Sequence, residues 1–325
     1  MSSRLSDYDF ELPRELIASR PLADRAASRM MVVDRTAGTI THRMFRHLPE
    51  FLRPGDLLVL NNSRVIPARL LTDDGKTEIL VFEKLSGGRW RAFARPGKRT
   101  LPGATIPIAG TTAHIEEVDA ADGTRIVRFD PEPDFESRGH MPIPPYLGRD
   151  DDEEDRVRYQ TVYAKVAGSV AAPTAGLHFT PEILAPLPHT FVTLHVGPGT
   201  FLPVRTDDLA EHRMHAEEFE VGAEAAAEID AASRLVVVGT TTLRVLESLP
   251  PGPMRAGSGS TDIFIRPGFE FQRAGALLTN FHLPKSTLFV LVCSLAGADL
   301  MRQAYAQAVR ERYRFFSYGD CMLIV

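Results

Sequence analysis

The stretch LVVVGTTTLRVLESL, residues 235–249, changes its period in the middle. From Leu235 to Val238 it is a continuous run of branched apolar side chains, the pattern of a strand buried on both faces. Beyond Gly239 the apolar positions become Leu243, Leu246 and Leu249, the spacing of one helix face. A buried strand running straight into a helix is the building unit of a layered α/β domain. Two further runs read as strands, MMVVD at 30–34 and DLLVLN at 56–61. Helices are expected over the alanine-rich segment Glu224 to Arg234 and over Ala298 to Arg314, and the chain closes on the strand CMLIV.

Between about Leu70 and Asp130 the character differs. TEILVFE, RWRAFA, TAHIEEV and TRIVRF alternate with turns containing Gly or Asp, as in a small antiparallel barrel. The expected fold class is therefore a layered α/β main domain built from both chain ends, residues 1–69 and 146–325, with a small antiparallel β-barrel inserted at 70–145. The acidic run Asp150 to Asp155 reads as a solvated return linker, because consecutive carboxylates on a flexible segment rarely converge on one ion.

Composition narrows the function classes. A chain of 325 residues with 44% hydrophobic content can bury a sizeable core. The N-terminus lacks an apolar stretch of signal-peptide type, and the run Leu288 to Ala298 falls short of a membrane span. Two cysteines, Cys293 and Cys321, lie far apart, which fits a reducing, cytoplasmic setting better than a disulfide framework. A net charge of −5 argues against indiscriminate nucleic-acid coating. It leaves room for a structured RNA held locally, although the basic groups Arg89, Arg91, Arg95, Lys98, Arg99 and Arg310, Arg312, Arg314 each read first as solvated surface.

Several familiar sites fail on spacing. Gly257 and Gly259 are followed by Asp262 where a dinucleotide fingerprint needs glycine, and Leu70 stands where a phosphate loop ending in Gly75-Lys76-Thr77 needs its first glycine. No G-x-S-x-G elbow occurs. His212, His215 and Glu217 could ligate zinc, but they lack cysteine support or an H-E-x-x-H helix, so no metal is expected.

What remains is a set of polar loops beside apolar runs. YQTVYAKVAGSVAAPTAGLHFT begins at Tyr159 and FVTLHVGPGTF ends at Phe201; both are dense in Gly, Thr and His, which expose backbone N–H groups and add hydroxyls and imidazoles. Gly239-Thr240-Thr241-Thr242 opens a helix and reads equally as an anion-binding first turn or as plain capping. In TNFHLPKST, Ser286 or Thr287 suffices for a cap, which leaves Asn280 and His282 for a site. YRFFSYGDCMLI sets Phe315, Phe316 and Tyr318 beside Arg312 and Arg314. These aromatics read as core, or as the aromatic–arginine pairing that stacks an unpaired base.

Taken in order, YDFELPRELIASRP, PGDLLVLNNSRVIPARL, MPIPPY, YQTVYAKVAGSVAAPTAGLHFT, FVTLHVGPGTF, MHAEEF, VGTTTLRVLES, LLTNFHLPKSTLF and YRFFSYGDCMLI span nearly the whole chain. Together they resemble the S-adenosylmethionine:tRNA ribosyltransferase-isomerase family of queuosine biosynthesis. The resemblance implies the same α/β domain with an inserted barrel. It also implies transfer and isomerisation of the ribosyl group of S-adenosylmethionine onto 7-aminomethyl-7-deazaguanine at the tRNA wobble position, giving epoxyqueuosine tRNA with loss of adenine and methionine. S-adenosylmethionine is then the ribosyl donor, tRNA the partner, and a cytoplasmic monomer without membrane partner is expected.

For that reaction His178, His195, His282, Glu217 and Asp320 are expected to supply acid–base and charge-stabilising groups. Thr174, Gly176, Gly197, Gly199, Thr200, Thr240, Thr241 and Asn280 are expected to hold the donor, with Pro173–His178 and His195–Thr200 as two walls of one pocket. Arg64, Arg244, Arg314, Phe316 and Tyr318 are expected to meet the tRNA or the donor carboxylate. Asn62-Ser63 stands where the family usually has Asp-Thr. That change motivates the alternative, an RNA-binding protein on the same scaffold without the transferase chemistry.

Overall fold

The computed structural model describes residues 3–197, 199 and 206–325. Its main layer is a nine-stranded mixed sheet in the order Gly257–Thr261, Glu217–Val221, His189–Leu194, Asp56–Asn61, Arg234–Val238, Ala274–Asn280, Cys321–Ile324, Arg29–Asp34, Thr39–Met44. Strands His189–Leu194, Asp56–Asn61, Arg234–Val238 and Ala274–Asn280 are successively parallel. Cys321–Ile324 runs antiparallel to Ala274–Asn280.

Both faces of this sheet are covered, which explains its continuous apolar strands. Met31, Val59, Val237 and Leu277 pack with Leu243, Leu246, Phe289 and Met301 of the helices. Their chain neighbours Met30, Leu58, Val236 and Leu278 point to the opposite face, against Phe45 and Phe179, as the two-residue period of a strand requires. The helices Ala223–Ala231, Thr240–Ser248, Thr287–Ala296 and Ala298–Arg310 stop where their chemistry says. Ser286 caps the third by accepting the Phe289 N–H, and Gly297, at φ 90°, turns the chain through 118° into the fourth. Among the described residues no single helix is long and apolar enough to cross a membrane.

Residues 69–130 form a six-stranded antiparallel, barrel-like sheet in the order Arg69–Leu71, Glu78–Lys84, Arg89–Arg95, Arg125–Asp130, Thr111–Val118, Thr105–Ile108. Its inner positions include Ile79, Val81, Trp90, Ala92, Ile115 and Val127. The outward positions Phe82 and Phe93 remain half-buried, with ring centroids 5.2 Å apart. On this sheet Arg91 pairs with Glu83 and Arg95 with Glu78, both at 2.8 Å.

The acidic run departs from its linker reading. Asp152 caps the short helix Glu153–Arg158, and Asp155 is buried, held by Arg149 at 2.6 Å and by the Tyr318 hydroxyl at 2.8 Å. Two carboxylates of the run are recruited, exposed Asp152 into capping and buried Asp155 into an internal ion pair. The helix expected to reach Arg314 ends at Arg310, and the one expected to reach Arg234 ends at Ala231, because Arg234 already starts a strand and pairs with buried Asp56 at 2.5 Å.

Candidate active site

Because four adjacent strands are parallel, the residues that follow them emerge at one edge: Asn62, His195, Gly239 and Phe281. The antiparallel strand Cys321–Ile324 begins there too, with Cys321 opposite Asn280. The carboxyl edge of parallel strands is where α/β sheets leave a crevice for ligands. Polar residues placed just after apolar strand runs are therefore gathered together by topology alone.

A recess opens at this edge, and Thr174, Thr240, Thr241, Asn280, His282 and Phe316 are in its lining. Gly239, at φ 88°, makes the turn from strand to helix and offers no capping side chain. The N–H groups of the first helical turn therefore have no partner within their own helix. Thr242 back-bonds to the Val238 carbonyl at 2.7 Å, which leaves Thr240 and Thr241 at the wall. Asn280 donates to the Phe316 carbonyl at 3.0 Å while its Oδ1 is buried without a partner. His282 pairs through Nε2 with the Thr279 hydroxyl at 3.0 Å, and its N–H donates to the Tyr305 hydroxyl.

His178 lies behind this wall, paired through Nδ1 with the Ser28 hydroxyl at 2.9 Å and packed on Phe45. Burial pushes His178 down to about 4 and His282 to about 3. The nearby Asn280 amide opposes the fall at His178 in part, although His178 Nε2 completes no hydrogen bond of ordinary geometry. Both imidazoles are thus neutral at pH 7. Their lowered values set a sign: between about pH 6.5 and these values the unfolded chain binds protons that the fold refuses, so stability falls as pH falls. Stability is expected to fall progressively from about pH 6.5 to pH 5, by roughly 1 kcal/mol per pH unit for each histidine, and the melting temperature with it. The His282→Gln variant should flatten that profile; an unchanged slope would contradict the assignment.

The segment 195–197 divides two spaces. Val196 lines the recess, whereas His195 and Gly197 face a wider cleft of about 940 Å³ toward the barrel. Arg64, Glu217 and the barrel's Phe82, Trp90 and Phe93 share that cleft. Gly168, at φ 147°, packs on the His195 ring so closely that a Cβ would lie 2.7 Å from Nδ1. His195 Nδ1 is buried without a hydrogen bond, and burial lowers its proton affinity against the opposing pull of Glu218 and Glu220. Glu217 accepts the Gly197 N–H at 2.9 Å and meets Arg244 at 2.7 Å; the pair is 5% and 2% exposed. Gly199 packs on His215.

The residues expected from sequence are therefore sorted into different places. Thr174, Thr240, Thr241, Asn280, His282 and Phe316 share the recess, while His195, Gly197, Glu217 and Arg64 share the cleft. Thr200 lies outside the described residues. Gly176 touches no ligand space, since the Tyr163 hydroxyl occupies the position its Cβ would take. Arg244 is sealed under Glu217 instead of facing an RNA, because its helix is buried on every side. Asp320, 1% exposed, accepts the backbone N–H groups of Arg29 and Arg314, and Tyr318 is tied to Asp155. Arg314 donates to the Arg20 carbonyl. Sequence reasoning missed the recess wall at Tyr159 and Ser317 and the barrel aromatics. The latter had a signal: Phe82 and Phe93 sit at outward positions of their strands, where a free barrel would carry polar groups. Among the described residues no three His, Cys, Asp or Glu side chains converge as a metal site requires, and His212 meets Phe264 edge to face.

The chain is similar to known proteins along its whole length. The family model described as "Queuosine biosynthesis protein" matches residues 5–324. An S-adenosylmethionine:tRNA ribosyltransferase-isomerase of Symbiobacterium thermophilum is 50% identical, covering 99% of this chain and 100% of its own. One from Anaeromyxobacter dehalogenans is 49% identical, with 99% of both chains covered. The crystal structure of the S-adenosylmethionine tRNA ribosyltransferase of Thermotoga maritima is similar with a TM-score of 0.56 and 38% identity, covering 98% of this chain and 100% of that one. With its motifs gathered at one sheet edge and the match unbroken from Leu5 to Ile324, the chain belongs to the queuosine biosynthesis protein family.

Proposed function

We propose that the protein transfers the ribosyl group of S-adenosylmethionine to tRNA and isomerises it, with 7-aminomethyl-7-deazaguanine at the wobble position as acceptor. The epoxyqueuosine modification forms, and adenine and methionine leave. The observation that carries this reading is the family match from residue 5 to residue 324, whose motif residues converge on the recess and the adjoining cleft. The chain acts as a monomer in the cytoplasm.

The donor nucleoside occupies the recess. A sulfonium is a fixed cation that lysine or arginine would repel, and among the described residues neither is in the recess lining. Thr174, Thr240, Thr241 and Asn280 offer hydroxyl and amide groups for the ribose and adenine. The tRNA base enters from the cleft, where Phe82, Trp90 and Phe93 provide apolar faces. His195 faces the cleft beside Val196 of the recess wall, and we assign it the general-base role at a ribose that projects from the recess into the cleft. His178 and His282 are positioning residues, since each ring is committed to a hydroxyl inside the wall. Asn62, the residue behind a non-catalytic reading, accepts from the Thr193 hydroxyl at 2.7 Å and ties two strands together.

The test is adenine release from S-adenosylmethionine. Release is expected only when tRNA carrying the aminomethyl-deazaguanine base is present, at one adenine per modified tRNA. Release without tRNA, or methyl transfer to it, would overturn the reading.

A further inference from the structure

A third, smaller recess opens beside the first, sharing Ser317 with it. Arg25, Ser28, Arg158, His178 and Tyr318 line it, and its enclosed volume of about 20 Å³ is below what a nucleoside-sized ligand needs. Its guanidinium groups are oriented by carbonyls. Arg25 donates to Leu177 at 3.0 Å and to Val157 at 3.1 Å, and Arg158 to Leu22 at 2.5 Å and to Ala23 at 3.3 Å. Arg314, close enough to His178 to disfavour its protonation, donates to Arg20. Carbonyl partners fix a guanidinium in place without cancelling its charge.

The neighbouring carboxylates leave that charge largely uncompensated. Asp155 is held by Arg149 and Tyr318, and Asp320 by two backbone N–H groups. Glu154, half-exposed at 54%, reaches Arg158 only at 3.9 Å. Arg158 Nε and Arg314 Nη1 are buried with no acceptor. Burial, and then the like charge of Arg158, makes Arg25 easier to deprotonate than an ordinary arginine. Several fixed cations beside one recess, with donors unfilled, describe a site for a negative group.

We propose that this recess is an oxyanion subsite in which Arg25 and Arg158 hold a singly charged oxygen group. Resting on the functional reading above, the group comes either from a phosphodiester of the tRNA or from the amino-acid carboxylate of S-adenosylmethionine. Both present the same chemistry to a guanidinium fork.

Equilibrium binding decides it without requiring turnover. Affinities of S-adenosylmethionine and of an unmodified anticodon stem-loop are measured for the wild type, Arg158→Gln, Arg158→Lys and Arg25→Lys. Loss of one charge-assisted contact predicts at least about tenfold weaker binding of one ligand in Arg158→Gln, with partial recovery in Arg158→Lys. If the stem-loop is the ligand affected, its salt dependence should also become shallower by about one ion, which identifies the phosphate; a selective loss for S-adenosylmethionine identifies the carboxylate. Unchanged affinities for both in a folded Arg158→Gln would overturn the subsite. A wild type that binds neither ligand would sink the functional reading instead. Inorganic phosphate then decides the subsite alone, by raising the melting temperature of the wild type but not of Arg158→Gln; no such difference would overturn it.

Discussion

Replacing Arg244 with alanine is expected to lower the thermal midpoint by roughly 5–8 °C. The guanidinium and the Glu217 carboxylate stand 2.7 Å apart and are almost wholly buried. Removing one partner of such a pair leaves an uncompensated buried charge, which costs about 3–5 kcal/mol. At roughly 1.5 °C per kcal/mol for a chain of 325 residues, the shift is easily measured. Glu217 also accepts the Gly197 N–H, so the segment between recess and cleft loses its anchor at the same time. Activity should therefore fall further than the unfolded fraction explains. The double variant Arg244→Met with Glu217→Leu should recover most of the stability, because two apolar residues of similar size leave no charge behind. A midpoint within about 1.5 °C of wild type for Arg244→Ala alone, no more than the shift that one kcal/mol produces, would show that the pair is not what closes this part of the core.

His195→Asn should reduce single-turnover adenine release by about 10²–10⁴-fold, the usual worth of a positioned general base. The expected signature lies in the pH profile. Burial holds the imidazole below its ordinary value, so the base is already free of its proton at neutral pH. The wild-type rate should rise with pH through a midpoint below 6.5 and then level off. In His195→Asn that acidic limb should vanish and the residual rate should be nearly flat. Donor affinity should change little, because the imidazole faces the cleft and Val196 lines the recess. A variant that keeps the limb and most of the rate would move the base role to another residue.

Periodicity in the chain was enough to locate the central strands and the barrel. DLLVLN became the strand Asp56–Asn61 without a shift of either end, because a strand covered on both faces must be apolar throughout. Edge strands were less legible. Thr39–Met44 alternates exposed and half-buried residues, and Gly257–Thr261 is exposed over most of its length, so neither carries an apolar signature. The candidate site was legible as residue types, since Gly, Thr, Asn and His after apolar runs mark where strands hand over to polar turns. Arg244 shows the limit. In the sequence it is a cation on an amphipathic helix, and nothing local says that Glu217, on a distant strand, will cover it.

By itself the sequence determined the strand–helix alternation, the inserted barrel and the family, because these follow from side-chain period and from motifs read in order along the chain. Only the tertiary structure decided which motif residues meet. Parallel pairing brings Thr240, Asn280 and Val196 to one edge, and the alternation within 195–197 turns His195 away from the recess and toward the cleft. Contacts between residues far apart in the chain depend on register and burial, and a single strand or helix encodes neither.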